Sequence, residues 1–297
     1  MASIKEIQTR MKSIQDTRKI TNAMYMISSS KLKKARKSLE ATEPYFYTLQ
    51  NTMSQILRHV PDMESRYFES EEERNPEDKK VGYIIITADK GLVGAYNHNV
   101  IKLVEEQMAV CHDPVLFVLG EMGRQYFRRK KIEIEEEFRY VVQNPTLSRA
   151  RDISEIVMER YNRGELDEIY VIYTKMETAM QAEAEMMKLL PLKKSRFSQA
   201  LSADVHMEEL AFLPDIYTVV NHMASDYLVG FIYGALVESF CSEQNSRMMA
   251  MEAAVDNANS MLKELDIIYH RARQAVITQQ ITEVIGGAKA QKKKKMS

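Results

Sequence analysis

The sequence predicts an α/β protein in which two long terminal helices flank a central, Rossmann-like α/β domain and pair with each other. Three observations predict this fold. Glycine and proline are scarce, at 10 and 7 of 297 residues, whereas methionine is abundant at 20. Apolar residues follow heptad spacing towards both ends of the chain. The middle instead alternates short apolar runs with helical patterns, which is typical of a mostly parallel sheet with covered faces.

Residues 1–60 are predicted to form the N-terminal helix. Its first apolar residues are spaced three, four and three positions apart: Ile4, Ile7, Met11 and Ile14. The same frame then turns polar at Arg18 and Thr21 before apolar residues return, and Pro44 is a place where a new turn could start. Residues 61–80 carry prolines and a run of glutamates, which predicts a charged connector.

Residues 205–287 are predicted to form the C-terminal helix. One heptad frame holds Met251, Val255, Ala258, Leu262, Leu265, Tyr269, Ala272 and Val276. Gly230 and Gly234 need not break this helix, and Gly286-Gly287 is a plausible stop. A helix of about 100 Å cannot be covered by a globular core of this size, so its seam needs a partner, for which the N-terminal helix is the nearest candidate. Residues 288–297 read as a basic tail, and the four lysines Lys292 to Lys295 favour a solvated, disordered end.

Residues 81–200 are predicted to form the central domain. The predicted strands are Val81–Thr87, Val115–Leu119, Ile132–Phe138 and Glu168–Thr174, with a further strand or edge hairpin over Gln181–Leu190. The predicted helices are Asn99–Val110, Glu121–Arg129 and Leu147–Arg163.

A glycine-containing loop, with Gly91 and Gly94, follows the first of these strands. Strand, glycine loop and helix is an arrangement that many proteins use to hold a phosphate. Here, however, Ala95 and Tyr96 follow the second glycine, where a Walker loop needs lysine and then serine or threonine. The GxGxxG pattern of a dinucleotide site is also missing. The pattern therefore favours a tight turn, and an α/β nucleotide-binding enzyme with helical arms is the alternative reading.

Composition and spacing exclude several other functions. The formal net charge of −1 does not indicate nucleic-acid binding. The two cysteines and six histidines show no spacing typical of a zinc site, so we expect neither a metal site nor a cofactor. No apolar run is long enough to cross a membrane. A basic cluster between Lys31 and Lys37 is consistent either with a solvated helix face or with docking to acidic or polar neighbours.

Both ends of the chain resemble the γ subunit of F-type ATP synthases. The N-terminal stretch IQDTRKITNAMYMISSSKLKKA and the C-terminal stretch SEQNSRMMAMEAAVDNANSMLKELDIIYHRARQAVITQQITEVIGGA carry its two most specific motifs. DKGLVGAYN, which ends with Asn97 after Gly91 and Gly94, is similar to the strand–loop–helix of that family, and YVIYTKM and LLPL follow in the expected order. The resemblance extends over nearly the whole chain.

The resemblance implies a central rotor shaft that does no chemistry itself. The terminal helices would form an antiparallel two-helix coiled coil inside a ring of α and β subunits, with the catalytic sites on β. The central domain would lie near the ε subunit and the membrane-embedded ring of c subunits. No transit peptide and no chloroplast-type regulatory insertion is present. We therefore expect a bacterial enzyme at the cytoplasmic face of the cell membrane, held there only by its partner subunits.

The resemblance also implies which residues contact the β subunits. The polar contacts of the family fall on Arg247, Gln274 and Thr278. The methionine at the shaft–β boundary, which is sensitive to added charge, falls on Met24. Gln280 stands where the family commonly has a glutamate.

Overall fold

The structure is a computed structural model that describes residues 3–60, 65–69, 79–111, 113–176, 182–198, 213 and 215–295. The chain forms two compact units. We call the first, Met1–Ile27 with Met248–Ser297, the coil unit, and the second, Ser28–Arg247, the sheet unit.

Six helices and four strands are found in the described residues. The helices are α1 (Ile4–His59), α2 (Tyr96–Met108), α3 (Glu121–Lys130), α4 (Leu147–Asn162), α5 (Ser195–Ser198) and α6 (Ile216–Lys295). The strands are β1 (Lys80–Ile86), β2 (Asp113–Leu119), β3 (Glu168–Met176) and β4 (Ala182–Leu190).

The terminal helices are continuous through the prolines and glycines at which they could have been interrupted. Pro44 lies inside α1, and α6 runs unbroken through Gly230 and Gly234. The predicted stop at Gly286-Gly287 is wrong, because α6 continues to Lys295. A glycine weakens a helix by only about 1 kcal/mol, and the alanines and lysines that follow are strong helix formers.

In the coil unit, α1 and α6 pair in antiparallel fashion. Gln8 donates a hydrogen bond to the hydroxyl of Tyr269 (3.1 Å), and further along α1, Arg18 donates to Oδ1 of Asn259 (2.9 Å). Thus the contact moves back along α6 as it moves forward along α1. The buried seam of α6 recurs every seven residues, as the sequence predicts: Met251, Ala258 and Leu265. The predicted two-helix coil is confirmed.

The sheet unit is built on a four-stranded sheet in the order β2-β1-β3-β4. β1 pairs in parallel with β2 on one side and with β3 on the other, whereas β4 is an antiparallel edge strand. Ile84, Ile85 and Ile86 of β1 are fully buried, as expected for a central strand that is covered on both faces. The mixed α/β fold is confirmed.

Segments of α1 and α6 also pack together within the sheet unit. Ser38 and Tyr233 share a hydrogen bond of 3.0 Å between their hydroxyl groups. A Cβ atom built at Gly230 would lie 2.1 Å from the ring of Phe46, so glycine allows the close approach of the two helices here. In this unit the two helices are therefore part of the same packed body as the sheet.

The strand predicted over Ile132–Phe138 is not formed. Ile134 and Phe138 are buried, so the alternating apolar pattern was real. One backbone hydrogen bond joins the segment to β2, from the amide of Glu135 to the carbonyl of Leu116 (2.9 Å), but it does not extend into a strand pairing. Its carbonyl groups are turned towards the buried guanidinium of Arg124, which donates to the oxygens of Phe138 (2.8 Å) and Glu136 (3.0 Å). A side chain has taken the place of a strand partner, and no sequence periodicity signals that exchange.

Most of the predicted connector, residues 61–64 and 70–78, lies outside the described residues. The described part is attached to the sheet unit. The amide of Glu69 donates to the carbonyl of Leu192 (3.0 Å), and the amide of Leu192 donates to the carbonyl of Tyr67 (2.7 Å). Phe68, between these bonds, is buried.

Candidate functional site

The glycine loop connects β1 to α2 at the carboxyl edge of the sheet. Gly94 has a φ of 56° and Leu92 a φ of 63°, so two of its residues adopt the left-handed conformation that a tight turn requires. The side chain of Asn97 accepts a hydrogen bond from the amide of Ala88 (2.8 Å) and ties the end of the loop to its beginning. Gly94 and Asn97 therefore shape the turn, as expected if the motif is a tight turn and not a phosphate-binding loop.

Two amide groups that could bind a phosphate at this edge are already used by the chain. At the start of α3, the amide of Met122 donates to the carbonyl of Ala88 (3.1 Å). The next amide, that of Gly123, donates to the hydroxyl of Thr87 (3.0 Å). A helix N-terminus attracts anions through its unpaired N–H groups, and here two of them have partners inside the protein.

The crevice between β1 and β3 is filled by α6. In parallel sheets of this kind, ligands bind where the strand order reverses, beyond the carboxyl ends of two adjacent strands. Here Ser239 of α6 accepts a hydrogen bond from the amide of Thr174 (3.3 Å), and Ser242 donates to the carbonyl of the same residue (3.1 Å). Both serines are buried. A helix of the protein thus lies where a nucleotide would bind, which argues against the nucleotide-binding alternative.

Arg247 brings α6 into contact with the glycine loop. Its Nη2 lies 3.3 Å from the carbonyl oxygen of Lys90 and 3.4 Å from that of Gly91. Its Nη1 lies 2.7 Å from Oε1 of Glu243, one helical turn earlier. The structure therefore brings three of the predicted positions together, namely Arg247, Gly91 and, through the loop, Asn97.

Glu243 was not predicted as a site residue, although it is almost completely buried, with 1% of its side chain exposed. The pKa of its carboxyl group is raised, and burial is the largest cause. The charge of Asp89 raises this pKa further, whereas Arg247 and Lys31 lower it without reversing the shift. Oε2 has no hydrogen-bond partner within the described residues. No sequence pattern singles it out, because Glu238, Gln244, Asn245 and Ser246 make the surrounding stretch polar as well.

The other three predicted contact residues belong to the coil unit. Met24 is half-buried on α1. Gln274 and Thr278 are exposed on α6, where the hydroxyl of Thr278 donates to the carbonyl of Gln274 (2.9 Å). These two line a shallow depression on the helix surface together with Arg271, Ala275, Gln279, Thr282 and Glu283.

Beside this depression and past it, α6 exposes an apolar surface. The side chains concerned are Val276, Ile277, Ile281, Val284 and Ile285. Large apolar side chains clustered on one exposed helix segment mark a surface that another protein covers. The end of α6 is therefore an interaction surface.

The described residues contain no group of three or more His, Cys, Asp or Glu side chains that could hold a metal ion. Among the same residues, no helix is long and apolar enough to cross a membrane.

Comparison with known proteins decides the family. A family model described as ATP synthase matches residues 3–291. The ATP synthase gamma chain of Acetivibrio thermocellus is 47% identical over 297 residues, which cover 98% of this chain and all of that one. The chain belongs to the ATP synthase γ chain family. The sodium-ion-specific γ chain of Acetobacterium woodii is 35% identical and covers 97% of this chain and 98% of its own length.

Solved structures of mitochondrial ATP synthases contain chains with a similar fold. The central stalk and c-ring structure of the Tetrahymena thermophila mitochondrial ATP synthase contains a chain that matches with a TM-score of 0.59 and 23% identity. That match covers 79% of this chain and 99% of the other. A chain of the Euglena gracilis mitochondrial enzyme, from an OSCP/F1/c-ring structure, matches with a TM-score of 0.54 and 16% identity over 91% and 95% of the two chains.

Proposed function

We propose that this chain is the central rotor shaft of an F-type ATP synthase. It would transmit the rotation of the c-ring to conformational changes in the catalytic β subunits, and would work in reverse when ATP is hydrolysed. The observation that carries the proposal is the antiparallel α1–α6 coil with an uncovered apolar end, in a chain of the γ family. A pair of long helices whose exposed tip is apolar suits insertion into a collar of other subunits.

An asymmetric shaft couples rotation to chemistry without a catalytic residue of its own. The β subunits are chemically identical, but each meets a different face of the shaft. A contact that favours one β conformation by a few kcal/mol changes its nucleotide affinity by orders of magnitude. Because such linkage is reciprocal, an imposed rotation drives the release of ATP, and ATP binding drives rotation.

The proposal assigns the shaft–β contacts to Met24, Gln274, Thr278 and Arg247. Exposure of Gln274 and Thr278 on α6 supports their part. Arg247 is the least available of the four for contact with a β subunit, because only 10% of its side chain is exposed. Its Nη1 and Nη2 also already contact groups of this chain.

The proposed partners are the α and β subunits, the ε subunit and the c-ring, with no role for nucleic acid. The chain would need no cofactor, and catalysis would take place on the β subunits. The complex would lie at the cytoplasmic face of a bacterial membrane, with this chain attached peripherally through its partners.

Reconstitution tests the proposal. The matching α and β subunits are purified, this chain is added, and the size of the complex and its ATPase rate are followed together. The expected result is one copy of this chain per three α–β pairs and a raised multisite ATPase rate. Lack of association with the ring, or ATPase activity of this chain alone, would contradict the proposal.

Charge substitution tests the proposed contact at Met24. Met24→Lys adds a positive charge at a half-buried position, so we expect fewer ions transported per ATP hydrolysed in the assembled complex. Asn22→Lys adds the same charge at a nearby exposed position, and should leave this ratio unchanged. Equal ratios for the two variants would argue for a purely structural scaffold.

A further inference from the structure

Glu243 and Arg247 of α6 fasten this helix to the glycine loop. Glu243 lies 2.7 Å from Nη1 of Arg247, and Nη2 of the same arginine lies within hydrogen-bonding distance of the carbonyls of Lys90 and Gly91. One guanidinium thus bridges a carboxylate on α6 and two backbone carbonyls on the loop. We call these four groups the clasp.

The burial of the clasp distinguishes it from an ordinary surface ion pair. The exposed fractions of the two side chains are 1% for Glu243 and 10% for Arg247. By contrast, Glu159 of α4 and Arg163, the residue that follows α4, form an ion pair with the same spacing and the same order of residues, but 58% and 61% of those side chains are exposed. An exposed pair of this kind contributes little, whereas the loss of one partner of a buried pair leaves the other charge uncompensated.

Charged groups on three elements face Glu243. They are Arg247 on α6, Asp89 in the glycine loop and Lys31 on α1. Burial and then the charge of Glu243 raise the pKa of the hydroxyl group of Tyr96, at the start of α2. Charged groups of α1 and of the loop therefore act on Glu243. Arg247 is the group that connects its carboxylate to the loop carbonyls.

We propose that the clasp transmits torque between the sheet and α6, with Glu243 as the positioning residue that holds Arg247 against the loop; this rests on the proposed role as rotor shaft. The location supports the idea. Arg247 is the last residue of the sheet unit, and α6 continues from it without a break into the coil unit. A twisting force applied to the sheet reaches α6 through the contacts that fasten the two, and the serine contacts to Thr174 lie on the same stretch of helix.

The torsional stiffness of the assembled complex tests the clasp. A bead is attached to the sheet unit through Lys102→Cys in a Cys111→Ser background, the ring is fixed to a surface, and angular fluctuations are recorded in the stalled complex. Glu243→Gln removes the charge that holds Arg247 and should widen the angular variance by about twofold or more. Glu243→Asp keeps the charge on a shorter side chain and should give an intermediate variance. Glu159→Gln, the matched control, should match the wild type.

Equal variance for the wild type and both Glu243 variants would overturn the clasp. Hydrogen exchange on the full-length chain alone gives an independent test. Glu243→Gln should speed exchange in the loop between Ala88 and Tyr96 by about tenfold, since the loop loses the group that fixes it. Unchanged exchange there would also overturn the proposal. Failure of the wild-type chain to assemble with the ring would instead overturn the rotor role, and is recognised before any variant is made.

Discussion

Gly120 begins α3 with a φ of 87°, and a Cβ atom at this position would lie 2.1 Å from the carbonyl oxygen of Thr87. Both the backbone conformation and the close contact exclude a larger residue. Gly91, in the glycine loop, differs in both respects: its φ is not positive, and a Cβ atom would meet nothing within 4 Å. Gly91, although it belongs to the glycine motif seen in the sequence, is therefore the one of the two that another residue could replace.

Alanine substitution separates these two positions. Gly120→Ala should destabilise the chain by on the order of 3–5 kcal/mol, because strain and steric overlap add. Gly91→Ala should change the free energy of unfolding by less than about 1 kcal/mol. Urea denaturation of the two variants measures both values. A Gly91→Ala variant that is as unstable as Gly120→Ala would contradict the loop geometry.

Glu168 carries a pH-dependent part of the stability. Burial alone would raise its pKa, but hydrogen bonds from Tyr170 (2.7 Å), Lys79 (2.9 Å) and Lys188 (3.1 Å) outweigh that effect and lower it. A carboxyl group whose pKa is lower in the folded state stabilises the fold above its unfolded value, here 4.5, and the contribution is lost as pH falls through the folded pKa.

Substitution of Glu168 checks this sign. Glu168→Gln should lose about 1–3 kcal/mol at neutral pH, and the gap to the wild type should close as the pH falls below 4.5. Glu106→Gln, at an exposed ion pair with Lys102, should change stability by less than about 0.5 kcal/mol at any pH. A gap for Glu168→Gln that grows in acid would show that burial, not pairing, dominates.

The site residues show which individual roles can be predicted from the sequence and which cannot. The turn residues Gly94 and Asn97 could be placed because strand, turn and helix are local patterns. Glu243 could not, since its role depends on Arg247 and on a loop far away in the sequence. That long-range contact exists only after the chain has folded.

At the scale of elements, close helix packing in the sheet unit depends on one of two glycines in α6. A Cβ atom at Gly230 would overlap the ring of Phe46 on α1, whereas one at Gly234 would meet nothing within 4 Å. Both positions are inside a continuous helix, where glycine is less favourable than alanine.

The two glycines should therefore respond in opposite directions. Gly230→Ala should destabilise the chain by about 1–3 kcal/mol through overpacking. Gly234→Ala should stabilise it by up to about 1 kcal/mol, because alanine is the better helix former. Thermal denaturation of each variant measures the sign directly. Stabilisation by Gly230→Ala would show that α1 and α6 are not in close contact at this point.

Predictability also differs between elements. The long helices and the strands β1, β2 and β3 could be predicted, because each has a strong period or a continuous apolar run. The segment Ile132–Phe138 has the apolar alternation of a strand, yet Arg124 binds its carbonyl groups. Likewise, Gly286-Gly287 does not end α6, since local propensity there is outweighed by its neighbours.

At the scale of the whole molecule, the sheet unit has the topology of a ligand-binding fold but uses its ligand crevice to hold a helix. Ser239 and Ser242 bind the end of β3, and Arg247 binds the loop after β1. In the proposed role this attachment of α6 is an advantage, because a domain that transmits a twisting force must be firmly attached to its helix.

The most direct test of the rotor role is to watch this chain inside the assembled ring during ATP hydrolysis. The α–β ring is fixed to a surface, a probe is attached to this chain, and its angle is followed with ATP present. The proposal predicts rotation in one direction, with one stopping position for each β subunit. ATP hydrolysis that continues while this chain stays at one fixed angle would contradict it.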